Sequence, residues 1–285
     1  MITISTIKEL REALSVHKRA GKTIGFVPTM GYLHDGHLSL VERAKSETDV
    51  VVMSIFVNPL QFGPNEDYSV YPRDLARDQK LAESAGVDYL FTPSVEEMYP
   101  RPMLTNISVH NITEALCGLS RPGHFDGVAT VVNKLFNIVG PHKAFFGQKD
   151  AQQVAVIEQM VYDLQIPVQI VPCPIHREKD GLAMSSRNVF LSEEERSQAL
   201  ILSRSLTRAE QMIANHQRDV DVICNEVRNL IQSQPLAEID YVELKRYPEM
   251  SDIEFVKTGD RILFALAVKF GRVRLIDNVI LTVMD

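Results

Sequence analysis

The chain has no tryptophan, only three cysteines and no long apolar run. Cys117, Cys173 and Cys224 are scattered, odd in number and without a CxxC pair. That argues against a disulfide scaffold or zinc ribbon and fits a reducing compartment, the cytosol. The longest apolar stretches are Val50–Val57, interrupted by Ser54, and Ile262–Val268. Both fall far short of the roughly 20 residues of a membrane span. The first residues lack the basic start and apolar run of a signal peptide. No Lys/Arg block occurs, and 30 Lys+Arg against 37 Asp+Glu give a net charge of −7. Net acidity disfavours a broad nucleic-acid surface, though not a local anion site. There is no GxGxxG, no GxxxxGK[ST] and no GxSxG. A dinucleotide fingerprint, a P-loop and a hydrolase elbow are therefore excluded as motifs.

What is present is ordinary for a folded protein: 285 residues, 45% hydrophobic and 24% charged. That length predicts about two domains. Helical and strand periodicities alternate over the first 175 residues. A capping box at Thr6-Ile7-Lys8-Glu9 opens a helix to about Ala20. Strands are expected at Thr23–Pro28, Val50–Val57, Asp88–Phe91, Lys143–Phe146 and Val168–Val171. Helices are expected at 36–47, 74–84, 128–139 and 150–164. This alternation predicts an α/β fold with a parallel sheet, whose ligands bind beyond the carboxyl ends of the strands. From about Ser192 two helical stretches, Ser192–Ala214 and Asp219–Gln232, precede three strand-like runs at 240–245, 261–268 and 272–281. They predict a smaller α+β domain with an antiparallel sheet. The expected division is residues 1–175 and residues 176–285.

Three loops carry the chemistry. Pro28-Thr29-Met30-Gly31-Tyr32-Leu33-His34-Asp35-Gly36-His37 leaves the first long strand and enters a helix. His34 and His37, three apart, share one helical face beside the amide groups of a helix start, a ready anion site. Gly147-Gln148-Lys149-Asp150-Ala151-Gln152-Gln153 also follows a strand and opens a helix. Lys149 offers a point charge for phosphate, and Asp150 a helix cap or a ligand for a ribose hydroxyl or Mg²⁺. Met184-Ser185-Ser186-Arg187 puts hydroxyls beside a guanidinium, as suits a polyphosphate. Asn58 and Gln61 follow the buried strand and suit a hydroxyl or carboxylate. Arg121 suits either a carboxylate clamp or an ion pair with a neighbour. Together these residues predict an α/β enzyme with an ATP-like site.

In their order these segments resemble the pantothenate synthetase (pantoate–β-alanine ligase) family. The matching motifs read PTMGxLHxGH, NPxQFG, RPGHFxGV, GxKDxQQ and AMSSRN, spanning Pro28 to Asn188. His34-Asp35-Gly36-His37 is similar to the HxGH signature of a nucleotidyltransferase superfamily, and Met184–Arg187 to its KMSKS-type loop. The resemblance implies a Rossmann-like nucleotide- and pantoate-binding domain and a lid-like C-terminal domain. It implies ATP-dependent condensation of (R)-pantoate with β-alanine through pantoyl adenylate, with Mg²⁺, in a cytoplasmic homodimer that binds neither nucleic acid nor membrane.

Carried over residue by residue, it implies that Met30 through His37 line the nucleotide site. His34 and His37 meet the ATP phosphates, and His37 is the proton donor. Gly147, Gln148, Lys149 and Asp150 bind nucleotide, with Lys149 on phosphate and Asp150 on ribose. Met184, Ser185, Ser186 and Arg187 close over the triphosphate. Gln61 and Gln153 hold pantoate, Gln61 also lies near β-alanine, and Asn58 and Arg121 are weaker assignments. One departure stands out. His176 occupies a position that is usually apolar in the family, near the adenine, where contact is mainly through backbone. The Mg²⁺ ligands are not specified, with Asp67, Asp74 and Asp78 as unranked candidates. Two other readings remain at this point: a nucleotidylyltransferase of the same superfamily acting on a phosphate acceptor, and a tRNA- or nucleotide-binding module without catalysis.

Overall fold

The computed structural model describes residues 1–64 and 66–285. In chain order the main elements are β1 (Ile2–Ile4), α1 (Ile7–Arg19), β2 (Ile24–Thr29), α2 (Asp35–Glu47), β3 (Val50–Ile55) and α3 (Leu75–Ala85). Next come β4 (Tyr89–Phe91), α4 (Val95–Met98), α5 (Leu116–Ser120), α6 (His124–Val139), β5 (Lys143–Gly147), α7 (Ala151–Asp163) and β6 (Gln169–Cys173). The chain closes with α8 (Glu193–Ala199), α9 (Ile201–Ala214), α10 (Val220–Gln232), β7 (Ala237–Arg246), β8 (Arg261–Phe270) and β9 (Val273–Thr282).

The contacts divide the chain into two compact units. The first comprises Met1–Val109, Arg121–Gln148 and Val156–Pro174, and the second His110–Ser120, Lys149–Ala155 and Ile175–Asp285. The contact pattern therefore differs from a single cut at residue 175. Side chains explain the exceptions. Gln152 accepts from the Cys117 amide (3.0 Å) and donates to the carbonyls of Ile112 and Ala115 (2.8 and 2.7 Å), tying the 112–117 turn to the start of α7. Asn278 on β9 donates to the Lys149 carbonyl at 2.8 Å.

In the first unit, six parallel strands lie in the order β1-β4-β3-β2-β5-β6. The continuous apolar run of β3 is what a strand covered on both faces requires, and Val50 through Met53 are buried. β1 is an edge strand of three residues, too short to show a period. α1 starts where its cap predicts: the Thr6 hydroxyl accepts from the Glu9 amide. α6 begins four residues earlier than expected, behind Gly123 at φ +80°. The chain runs from β2 outward through β3 to β4, then returns to the other side of β2 as β5. The order reverses between β2 and β5, which pair only near their first residues, Gly25 with Lys143 and Phe26 with Ala144. A crevice at such a switch point is the general ligand position of open parallel sheets. The loop after Thr29 and the turn at Gly147 leave the sheet there.

The second unit holds an antiparallel sheet in the order β7-β8-β9. Alternate residues of β8, Ile262, Phe264, Leu266 and Val268, pack with Leu202, Leu206 and Ile213 of α9 and Ile223, Val227 and Ile231 of α10. The expected single helix over Ser192–Ala214 is divided at Leu200, which ends α8 and opens α9.

Candidate active site

The turn between β2 and α2 is built by side chains that bind its backbone. Gly31 and Tyr32 have left-handed φ values of +85° and +49°. A Cβ at Gly31 would meet the Ile55 side chain at 2.8 Å and an Asp78 oxygen at 3.0 Å, so only glycine fits. The Gly31 amide donates to Thr29 Oγ1 (3.2 Å), and Thr29 Oγ1 donates to the Ser54 carbonyl (2.8 Å). The amides of Tyr32 and Leu33 donate to the two Asp78 oxygens, both at 2.7 Å. Asp78 is 1% exposed. Burial raises its pKa, against the opposing pull of these two amides and of Arg77. Arg77 also lies over the Tyr32 ring, its Cζ 5.0 Å from the centroid.

His34 then caps α2 in an extended conformation, its carbonyl accepting from the amides of His37 (2.8 Å) and Leu38 (3.1 Å). The imidazoles of His34 and His37 stack, with centroids 3.9 Å apart and planes 25° from parallel. The i,i+3 spacing has put both rings on one face of the first turn, and the Nδ1 atom of each is buried. Asp35 is exposed, whereas Leu33 is a fully buried core residue beside Leu40, Val41 and Met53. Within the expected nucleotide-lining stretch, Leu33 anchors the turn from beneath, and the amides of Tyr32 and Leu33 are engaged by Asp78.

The loop after β3 forms a second feature of the same unit. Asn58, 1% exposed, has both ends of its amide engaged. Its Nδ2 donates to Gln61 Oε1 (3.2 Å) and to the Gly127 carbonyl (3.1 Å). Its Oδ1 accepts from the Leu60 amide (3.3 Å) and the Tyr99 hydroxyl (2.8 Å). Gln61 Nε2 in turn meets Met30 Sδ at 3.2 Å, linking this loop to the histidine turn. The Gln61 carbonyl accepts from His124 Nδ1 at 2.8 Å and from Arg121 Nη2 at 3.4 Å. Arg121 forms a two-point ion pair with Glu66, Nε–Oε1 2.8 Å and Nη2–Oε2 2.5 Å. Of its two expected uses, the guanidinium here serves the neighbour pairing. Burial works against the Glu66 charge, but Arg121 outweighs it and holds this carboxyl below the usual range. α6 presses directly on the loop: a Cβ at Gly127 would lie 2.3 Å from the Leu60 carbonyl oxygen. Gly147, at the end of β5, opposes Cys173 and has open space where a Cβ would be. Gln148 follows it and begins a 3₁₀ turn, Gln148–Asp150.

The second unit holds the remaining expected residues. Lys149 is half-buried with its carbonyl fixed by Asn278, Asp150 is exposed, and Gln153 is half-buried one turn into α7. The 176–188 loop is a small hairpin. Arg177 pairs with Ala183, and the Met184 amide donates to the His176 carbonyl at 3.0 Å. The His176 side chain, at the position of the departure noted in the sequence, is exposed. Arg177 is locked by Asp277 through bonds of 2.6 and 3.0 Å. Glu178 takes both Asn188 Nδ2 (2.6 Å) and Arg196 Nη2 (2.5 Å). Ser185 caps the following 3₁₀ turn, Ser186–Phe190, by accepting from the Arg187 amide at 3.3 Å. Met184, Ser185 and Arg187 are half-buried, and Ser186 is buried. The supports Asp277, Asn278 and Glu178 have no local signal in the sequence. They act across about 10 to 130 positions.

Among the described residues no three or more His, Cys, Asp or Glu side chains gather as a metal-binding set. Asp74 is engaged as the cap of α3, accepting from the Arg77 amide at 3.0 Å, and Asp78 holds the histidine turn.

The chain matches the pantoate-beta-alanine ligase family profile over residues 2–280. It is 58% identical over 280 residues to a pantothenate synthetase of Caldicellulosiruptor bescii, covering 98% of this chain and 99% of that one. The pantothenate synthetase of Acetivibrio thermocellus is also 58% identical, over 283 residues, covering 99% of this chain and all of the other. The crystal structure of pantothenate synthetase from Thermus thermophilus superposes with a TM-score of 0.92 at 46% identity, with full coverage of both chains. The pantoate-beta-alanine ligase of Francisella tularensis, complexed with beta-gamma ATP and beta-alanine, gives a TM-score of 0.78 at 38% identity. That match covers 98% of this chain and 97% of the other.

Proposed function

The chain belongs to the pantoate–β-alanine ligase family, and from that premise we propose how its own residues join pantoate to β-alanine at the expense of ATP. The stacked His34–His37 pair, at the start of a helix beside the sheet's switch point, carries the reading. It supports phosphoryl-centre chemistry of the adenylating kind.

A carboxylate does not condense with an amine unaided, because its oxygen is a poor leaving group. In the first step a pantoate carboxylate oxygen attacks the α-phosphorus of ATP, the bond to the β-phosphate oxygen breaks, and pyrophosphate leaves. In the second step the β-alanine amine attacks the acyl carbon of pantoyl adenylate, AMP departs, and the amine gives up a proton. The protein contributes positioning and charge stabilisation more than covalent chemistry.

His34 and His37 donate to phosphate oxygens as charge develops in the first step, and His37 is the proton donor. Gly147 and Gln148 line the nucleotide, Lys149 meets phosphate, and Asp150 meets the ribose. Met184 contacts the nucleotide, and Ser185, Ser186 and Arg187 meet the departing pyrophosphate. His176 contributes its backbone near the adenine. Gln61 and Gln153 orient pantoate, and Gln61 also lies near β-alanine. Asn58 and Arg121 act one step removed: Asn58 fixes the Gln61 amide, and Arg121 with His124 fixes its carbonyl. Mg²⁺, if bound with ATP, would supply positive charge against the phosphates, beside the Lys149 and Arg187 side chains that meet them.

We place the enzyme in the cytosol as a homodimer. Three buried free cysteines favour a reducing compartment. Among the described residues no helix is long and apolar enough to cross a membrane. The decisive experiment is isotope exchange of pyrophosphate into ATP, with and without pantoate. Exchange that requires pantoate, with AMP appearing only once an amine is supplied, is expected. Exchange without pantoate, or a nucleotidylated product that survives amine addition, would reject the assignment.

A further inference from the structure

We infer that Asp78 is a positioning residue for adenylation: its carboxylate sets the backbone of the turn that presents His34 and His37. The inference rests on the phosphate-donor reading of those histidines. Its basis is a match of number and direction. Two consecutive amides, Tyr32 and Leu33, point at two oxygens of one side chain, each at 2.7 Å. The turn that brings them there needs left-handed backbone at both Gly31 and Tyr32. Tyr32 has a Cβ and resists that conformation, so the turn persists only if its surroundings over-determine it. Asp78 supplies that constraint from α3, and Arg77 adds a guanidinium over the Tyr32 ring.

A carboxylate is the one acidic or amide side chain of this length with two acceptors. The asparagine isostere would offer one oxygen and turn an N–H₂ group toward a backbone N–H. Burial sharpens the requirement, because water cannot replace a lost acceptor at a side chain that is 1% exposed. Leu33 follows the clamp into the core, and His34, the next residue, caps α2 without a side-chain capping bond. The clamped turn thus sets where the backbone of His34 enters α2, and with it the place from which the stacked imidazoles project.

The test compares Asp78→Asn with wild type in pantoate-dependent pyrophosphate exchange, scaled to folded protein by circular dichroism. We expect kcat to fall at least tenfold while KM for pantoate stays within twofold, and Asp78→Glu to recover part of the loss. An unchanged kcat, or a loss that vanishes after scaling to folded protein, would overturn the inference. Amide hydrogen exchange on the unmodified chain tests the clamp itself, even if Asp78→Asn does not fold. Slow exchange at Tyr32 and Leu33 is expected, and exchange at open-loop rates would overturn it. A wild-type protein without pantoate-dependent exchange would strike the functional reading instead, and amide exchange keeps the two failures apart.

Discussion

His34 and His37 lie ring on ring, 3.9 Å between centroids, so each is the other's wall as well as its neighbour in the first turn of α2. Removing one ring therefore does two things: it deletes hydrogen-bond donors and exposes a face of the survivor. His37→Ala is expected to slow adenylation by at least roughly 10²-fold, the usual scale for one transition-state donor. His37→Phe keeps an aromatic partner for His34 but no donor, and the same loss is expected. Near wild-type exchange by the Phe variant would reassign His37 to packing.

Gln152 and Gln153 are adjacent, yet their environments call for opposite outcomes. Gln152 is buried and makes three bonds to the 112–117 turn. Gln152→Ala is expected to cost about 1–3 kcal/mol of stability by orphaning those groups. Gln153→Ala is expected to stay within about 0.5 kcal/mol of wild-type stability and to weaken pantoate, not ATP, in titration calorimetry. Weakened ATP binding with normal pantoate binding would reject the role of Gln153.

Asn58 supplies a third case. Its removal leaves the Tyr99 hydroxyl, the Leu60 amide and Gln61 Oε1 each short of a partner in a buried place. Asn58→Ala is expected to lower stability by about 1–3 kcal/mol and to raise KM for pantoate through a loosened Gln61. A denaturant series paired with steady-state kinetics reads both effects. A destabilised enzyme with an unaltered KM would separate Asn58 from substrate orientation.

The Glu66–Arg121 pair gives a pH signature. The folded-state pKa of Glu66 lies below its ordinary value near 4.5. Its stabilisation is therefore complete above that value and fades as pH falls through the lower, folded one. Glu66→Gln should be less stable than wild type at neutral pH, by about 1 kcal/mol as for a well-formed partly exposed pair. The gap should close in acid below the ordinary carboxylate range. Thermal unfolding of both proteins across pH measures it, and a gap that widens in acid would contradict the pairing.

The sequence carried five of the six strands of the parallel sheet and most helix starts, because those depend on short-range patterns, whereas the three-residue β1 is too short to show one. The run Val50–Ile55, the Thr6 cap and the His34–His37 spacing are all read within a dozen residues. Other features depend on single long-range bonds. Asn278, amid the apolar β9, fixes the Lys149 carbonyl from 129 positions away, and nothing near either residue signals it. Asp78 was visible as an acidic residue, but its use was not. A carboxylate that could ligate a metal and one that clamps two amides look alike until the turn at Gly31 is folded against it. Arg121 shows the same ambiguity resolved by Glu66, 55 residues away.

Gly127 has a consequence for substitution on α6. With the Leu60 carbonyl oxygen 2.3 Å from where a Cβ would sit, that position admits one residue. Any side chain at 127 would force α6 and the backbone of Leu60 and Gln61 apart, so a substitution on the helix would reach Gln61 without touching its side chain.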